Sequence, residues 1–179
     1  MSAVGFALAG FVVVTAVATA LLRDTLAVII VFAAYSLGMA LLYSLLLAPD
    51  VALTEAAIGA GVTTVFLLLT IAKTTRPASD ARFEAINWPA VGICGLFVAV
   101  VAVTLPAFPA VGDPASPILT NADVSGYYIA NAYDQTGAEN AVTAVLAAYR
   151  GFDTFGEAIV VFAAGVASLL VLGREVFTA

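Results

Sequence analysis

Histidine is absent from this sequence and cysteine occurs once, at Cys94. Those two scarcities exclude an internal disulfide, a Cys/His zinc cluster, haem ligation through histidine and histidine acid–base catalysis. Charge is nearly as scarce, with six Lys and Arg against twelve Asp and Glu, a net charge of −6 and a pI near 4.2. An acidic surplus with so few cations argues against binding nucleic acid and against anchoring to anionic lipid. A hydrolase would need a nucleophile with its base, and no Ser–Lys pair stands in the apolar runs to supply one.

What fills the chain instead is apolar: 63% of its 179 residues are hydrophobic and the mean hydropathy is +1.11. Several runs exceed the ~18 residues that suggest a transmembrane helix. The expected fold is all-α: a polytopic membrane protein with about five transmembrane helices and one short extramembrane or interfacial helix. Val4 to Leu22 has no positive segment before it; Ala16-Val17-Ala18 has the small-residue spacing of a signal-peptide site, but the run is long and further spans follow directly, so it reads as span 1. Arg23-Asp24-Thr25 makes a short turn, and Leu26 to Leu47, containing Tyr35, Ser36 and Gly38, is span 2.

The stretch from Ala48 to Thr70, APDVALTEAAIGAGVTTVFLLLT, organises the rest. Pro49 suits a helix start, and Asp50 can accept hydrogen bonds from the free N–H groups there. Glu55 follows about one and a half turns into the span. A charge at the centre of a bilayer helix costs roughly 2.5 to 3.5 kcal/mol on insertion scales, so such a residue usually faces protein or water and has a function. At the ~100° step of a regular helix, Glu55 shares a face with Gly59, Thr63, Phe66 and Thr70. Two readings compete for that face: close helix packing with threonine hydroxyls on backbone carbonyls, or a protonatable group on a polar path. The cost of burying the carboxylate favours the second.

Span 3 ends at Lys73, and the linker to Asn87 carries Lys73, Arg76 and Arg82 against Asp80 and Glu84. By the positive-inside rule this linker is cytoplasmic, and it divides the chain into domains 1–79 and 80–179. Trp88-Pro89 opens span 4, which runs to Leu105 with Cys94 as a small buried apolar residue. Residues 106–138 carry four prolines and three aspartates without a cation and read as a long external loop. A short helix is expected from about Gly137 to Tyr149, with Thr136 and Glu139 at capping-box spacing. Arg150-Gly151-Phe152-Asp153-Thr154-Phe155-Gly156-Glu157 then begins span 5, Thr154 to Leu172; Thr154 and Glu157 repeat the capping-box spacing and Arg150 can pair with Asp153. With the N-terminus outside and the tail inside, five of the six cations are cytoplasmic, Arg150 being the exception. Both carboxylate groups, Asp50 with Glu55 and Asp153 with Glu157, then start from the outer side and could face one another.

Residues 48–61, APDVALTEAAIGAG, resemble the signature of the MbhD-like domain. Residues 137–146, GAENAVTAVL, with 150–157, RGFDTFGE, resemble that of the MbhE-like domain. These domains stand in tandem at the C-terminal end of the large A-type polypeptide of Mrp-type multisubunit sodium/proton antiporters. They also occur as small subunits of membrane-bound hydrogenase and are related to the J-type membrane component of respiratory complex I. The resemblance implies a transport protein, not an enzyme, without a cofactor or a resident metal. It implies as partners the other subunits of such a complex, including a separate antiporter-like large one whose helical core this sequence lacks. Membrane lipid, Na+ and H+ complete the partners, and nucleic acid is not among them. The implied location is the plasma membrane of a prokaryote.

By matching motif positions, the family's functional residues fall on Glu55, Asp153 and Glu157, with Arg150 as their partner; Asp50, Thr63 and Glu139 are secondary candidates. Glu55 and Glu157 would alternate between protonated and ionised or transiently sodium-bound states along a half-channel opening outward, with Asp153 and Arg150 setting the charge balance. Two alternatives are an ion-translocating component of a hydrogenase or complex I-like redox pump, its redox chemistry in partner subunits, and a structural coupling protein whose carboxylates only cap helices. The topology is directly testable: in a Cys94→Ala background, single cysteines at Ser79 and Ser116 should label from opposite faces of intact cells, Ser79 only from within. Labelling of both from one face would contradict the five-span arrangement.

Overall fold

The computed structural model describes residues 2–74 and 81–176, with side chains through Leu170. Arg76, the Ser79/Asp80 boundary and the side chain of Arg174 lie outside the described residues. Helices account for the regular structure, as the composition requires, and five of them are long and apolar enough to cross a bilayer: Ala3–Leu21, Thr25–Leu45, Pro49–Lys73, Trp88–Ala107 and Gly151–Leu170. This is a multi-pass membrane protein. The chain separates into two compact units, Met1–Gly112 and Asp113–Ala179.

In the first unit, α1 (Ala3–Leu21) and α2 (Thr25–Leu45) form the expected hairpin. Ser2 caps α1 by accepting from Gly5 N at 3.2 Å, and Asp24 caps α2 by accepting from Ala27 N at 2.8 Å. Helix α2 ends earlier than Leu47 because the chain reverses there: Ala48 N bonds Tyr43 O at 3.0 Å, Leu47 N bonds Ser44 O at 3.2 Å, and Leu47 takes φ 61°. That is a Schellman-type stop with leucine where glycine is usual, a conformation costing roughly 1–2 kcal/mol. The reversal starts α3 (Pro49–Lys73) with Pro49 in its first turn and returns it along α2.

Helix α2 is therefore the central element, packed against α1 and α3. It buries Ile29, Ser36, Gly38 and Ala40. Gly38 lets α1 approach closely, since a Cβ there would lie 2.9 Å from Phe11 Cδ1 and 3.1 Å from Val12 Cγ2. Small residues at a crossing play this part in membrane helices, where no hydrophobic force drives helix to helix. Opposite, buried Thr15 returns its hydroxyl to Phe11 O at 2.9 Å and Val12 O at 3.0 Å, so its polar group is not left in lipid.

The linker comes back to the α1–α2 turn. Leu22 and Phe83 form an isolated antiparallel bridge, with Arg23 N on Arg82 O at 3.2 Å and Glu84 N on Leu21 O at 2.9 Å. Arg23 Nε stands 3.5 Å from Glu84 Oε1. Asn87 then caps α4 (Trp88–Thr104), which a 3₁₀ turn at Leu105–Ala107 extends. Cys94 is not the buried residue expected of it: it is exposed on the wall of an apolar cavity of about 510 Å³ beside Ala20, Leu21 and Val98. The sequence could not show this, because an apolar helix facing lipid and one facing protein have the same composition.

The second unit corrects the expected loop. Residues 113–138 include α5 (Pro117–Thr120), a π turn at Ala122–Gly126 and α6 (Tyr127–Thr136). The prolines do not prevent this, since Pro117 lies in the first turn of α5 and the others precede it. Gly137, at φ 72°, ends α6, so the capping box expected at Thr136 and Glu139 does not form. Thr136 Oγ1 instead donates to Ala132 O at 2.7 Å and accepts from Ala138 N at 3.2 Å. The next helix, α7 (Ala141–Ala144), is capped by Asn140, which accepts from Thr143 N at 3.0 Å, and continues into a π turn at Val145–Tyr149. Helix α8 (Gly151–Val176) begins three residues before the expected start. Thr154 is thus inside it and donates to Leu146 O at 2.8 Å instead of capping.

Gly38→Val should destabilise the α1–α2 hairpin by about 1–3 kcal/mol, because the added atoms meet the Phe11 ring directly. Thermal unfolding in mild detergent measures this, and an unchanged midpoint would contradict the close approach.

Candidate functional site

Helix α3 is not regular where Glu55 sits. Glu55–Thr63 is a nine-residue π segment between α-helical turns. Its hydrogen bonds reach five residues, and Thr64 Oγ1 follows that register by donating to Gly59 O at 3.3 Å. Such insertions are rare and frequently lie at functional sites. After Glu55 the stretch AAIGAGVT carries only small side chains around Ile58 and Val62, so the wider turn meets little side-chain crowding.

Within the segment, Glu55 folds back over Gly59. A Cβ on Gly59 would stand 2.5 Å from Glu55 Oε1, 3.1 Å from Glu55 Cδ and 2.8 Å from Ser36 Oγ of α2. The missing side chain of Gly59 thus makes a notch that holds the half-buried Glu55 carboxylate beside the Ser36 hydroxyl. Ser36 is 1% exposed. Glu55 lies six residues after Pro49, about 9 Å along the helix axis. The sequence puts Gly59 on the Glu55 face, but Ser36 was visible only as a polar residue in an apolar span; its convergence with them needed the packing of α2 on α3.

The polar stripe expected of α3 presumes a regular 100° step. The π segment breaks that step, so Phe66 and Thr70 do not follow from Glu55 by regular spacing. Phe66 is 63% exposed and Thr70 donates to Phe66 O at 2.8 Å. Thr63 is half-buried at the end of the π segment, and Asp50 is half-buried in the first turn of α3.

In the second unit, Arg150 and Asp153 pair as expected, with Arg150 Nε and Nη2 both 2.6 Å from Asp153 Oδ2. The pair is open, with 67% and 55% of the two side chains exposed, so it contributes at most about 1 kcal/mol to stability. Glu157 is exposed one turn along α8, and Glu139 is exposed between α6 and α7. Arg150 follows directly on the π turn, with its N–H on Val145 O at 2.8 Å. That turn is tied to α6 by a cluster absent from the candidates read in the sequence. Tyr127 Oη lies 2.8 Å from Gln135 Nε2, Tyr149 Oη bonds Gln135 Oε1 at 2.5 Å, and the Tyr128 and Tyr149 rings are 5.0 Å apart. Loss of water around the Tyr149 hydroxyl, with Tyr127 and Tyr128 alongside, raises its pKa. No group of three or more His, Cys, Asp or Glu residues able to hold a metal occurs among the described residues.

Two family models match the chain: MbhD, the D-type component of MBH, over residues 10–76, and MbhE, the E-type component of MBH, over residues 91–176. The chain carries an MbhD-family domain and an MbhE-family domain in tandem. The inferred antiporter subunit mnhA2 of Staphylococcus haemolyticus (strain JCSC1435) is 32% identical over 158 residues, covering 86% of this chain. The A-type polypeptide of the Na(+)/H(+) antiporter of Bacillus subtilis (strain 168) is 28% identical over 158 residues, again 86% of this chain. The tandem chain spans 18% of the length of each of these curated relatives. Glu55 lies in the MbhD match, and Glu139, Arg150, Asp153 and Glu157 lie in the MbhE match.

The notch can be tested by filling it. Gly59→Ala should leave the fold intact, because the atoms it meets are the ends of two side chains, yet push the Glu55 carboxylate out. Modification of Glu55 by a hydrophobic carbodiimide, followed by mass spectrometry, should then be several-fold faster than in the wild type. An unchanged rate in a stably folded variant would contradict the notch.

Proposed function

We propose that this tandem MbhD–MbhE chain is a membrane subunit of a multisubunit cation/proton antiporter and contributes intramembrane carboxylates to its ion path. The observation that carries the reading is Glu55, a half-buried carboxylate inside a membrane helix and at the start of a π segment. A carboxylate in such a place is expensive to keep and points to a function. The similarity to the A-type polypeptide of a sodium/proton antiporter supports the class of transport.

In this reading Glu55 and Glu157 exchange protons for sodium along a half-channel opening to the outside. Burial favours the neutral form of a carboxyl and a nearby cation favours its ionised form, so neighbours decide when a proton is held. Arg150, paired with Asp153, supplies the cation on the Glu157 side; Asp50, Thr63 and Glu139 are auxiliary polar groups. The N-terminus is outside and the C-terminus cytoplasmic, following the placement of cations. The partners are the other antiporter subunits, including a large antiporter-like one. Helices α4 and α8 leave Phe97, Val103, Val161 and Phe162 about 70% or more exposed, faces that lipid and such partners would cover.

The test is a pair of substitutions. Glu55→Gln should leave the complex assembled but abolish cation-dependent proton flux in inverted vesicles. Glu55→Asp should keep partial flux with a shifted pH profile, since the carboxylate survives one methylene short. Wild-type flux from an assembled Glu55→Gln complex would remove Glu55 from the path. Loss of assembly would favour a structural coupling role.

A further inference from the structure

The notch over Gly59 brings one uncharged polar group to Glu55 from a different helix. Ser36 is enclosed in the packing of α2, its hydroxyl 2.8 Å from the point where a Gly59 Cβ would lie, while Glu55 Oε1 is 2.5 Å from that same point. Any side chain at position 59 would fill the space the two groups share. A serine in an otherwise apolar span can satisfy itself on its own helix backbone, as the threonines Thr15 and Thr19 do in α1. Ser36 instead stands at the interface where the carboxylate arrives.

We propose that Ser36 is a positioning residue for Glu55: its hydroxyl lends a hydrogen bond to the ionised carboxylate in the Gly59 notch, directly or through one water, and holds it for proton exchange. A hydroxyl that donates to a carboxylate stabilises the ionised form, and a nearby apolar methyl does not. Inside a membrane helix that difference is not diluted by bulk water. The proposal rests on the reading of Glu55 as a proton carrier.

The other titratable and charged groups on elements packed against the π segment are few. Within α3 they are Asp50, in the first turn, and Lys73, at the far end; on α2 they are Tyr35 and Tyr43. Tyr35 turns to α1, where it lines a small cavity with Ala16, Thr19 and Phe32. Tyr43, half-buried, is two helical turns from Ser36 toward the Asp50 end. The three atoms nearest the missing Gly59 Cβ belong to Glu55 and Ser36, not to any of these four.

The experiment is the pH profile of cation-dependent proton flux in vesicles carrying the full assembly, with subunit content checked by blot. Ser36→Ala should assemble normally and move the protonation-limited flank of the profile upward by about one to two pH units, the amount corresponding to one lost hydrogen bond to a charged group. Ser36→Cys, near in volume and a weaker donor, should give an intermediate shift. In the Glu55→Asp background, where the carboxylate falls short of the notch, Ser36→Ala should shift the profile much less. A wild-type profile from an assembled Ser36→Ala complex, with Glu55→Gln inactive, would overturn the proposal and leave the role of Glu55 standing. Flux surviving Glu55→Gln would overturn both. If Ser36→Ala does not assemble, Ser36→Cys decides by the same criterion, and failure of both to assemble would make Ser36 a packing residue and overturn the proposal.

Discussion

A carboxylate inside an apolar helix has to find its polar surroundings in the protein, because the hydrocarbon around it offers none. The first unit of this chain can be read as an answer to that constraint. Gly59 has no side chain, so the Glu55 carboxylate can lie back against its own helix, and α2 brings Ser36 to the same place. For α2 to sit there it must be held on its other side as well, and Gly38 provides this by letting Phe11 of α1 come close. The two glycines act at opposite faces of the central helix.

The π segment belongs to the same answer. Hydrogen bonds that reach five residues change the register of the second half of α3 relative to the first, so the face a regular helix would carry from Glu55 to Thr70 does not follow from spacing. What stands beside Glu55 is the Gly59 notch with Ser36. A path past Thr63 would need groups from elsewhere. In the proposed assembly neighbouring subunits would supply them.

Much of the fold was legible in the residues, for identifiable reasons. Apolar length gave the five spans, Pro49 and Pro89 marked helix starts, and the Arg150–Asp153 pair followed from its spacing. What stayed hidden depends on packing or on competition between caps. Thr136 and Glu139 fit a capping box, but Gly137 takes the left-handed conformation and ends α6 between them, so Asn140 caps the next helix. Tyr127, Tyr128 and Gln135 read as loop residues and Tyr149 as the end of a short helix until α6 forms and brings them together. The π register could not be seen from a 100° periodicity, and Ser36 could not be linked to Glu55 without the α2–α3 contact.

The central claim is that Glu55 gains and loses a proton as the cation moves. Infrared difference spectroscopy of the assembled complex, recorded on cation addition with carbon-13-labelled glutamate to mark the bands, reads that event at the carboxyl itself. The account predicts a protonated-carboxyl band in the wild type that loses one component in Glu55→Gln. A difference spectrum from Glu55→Gln that superimposes on the wild type would contradict it.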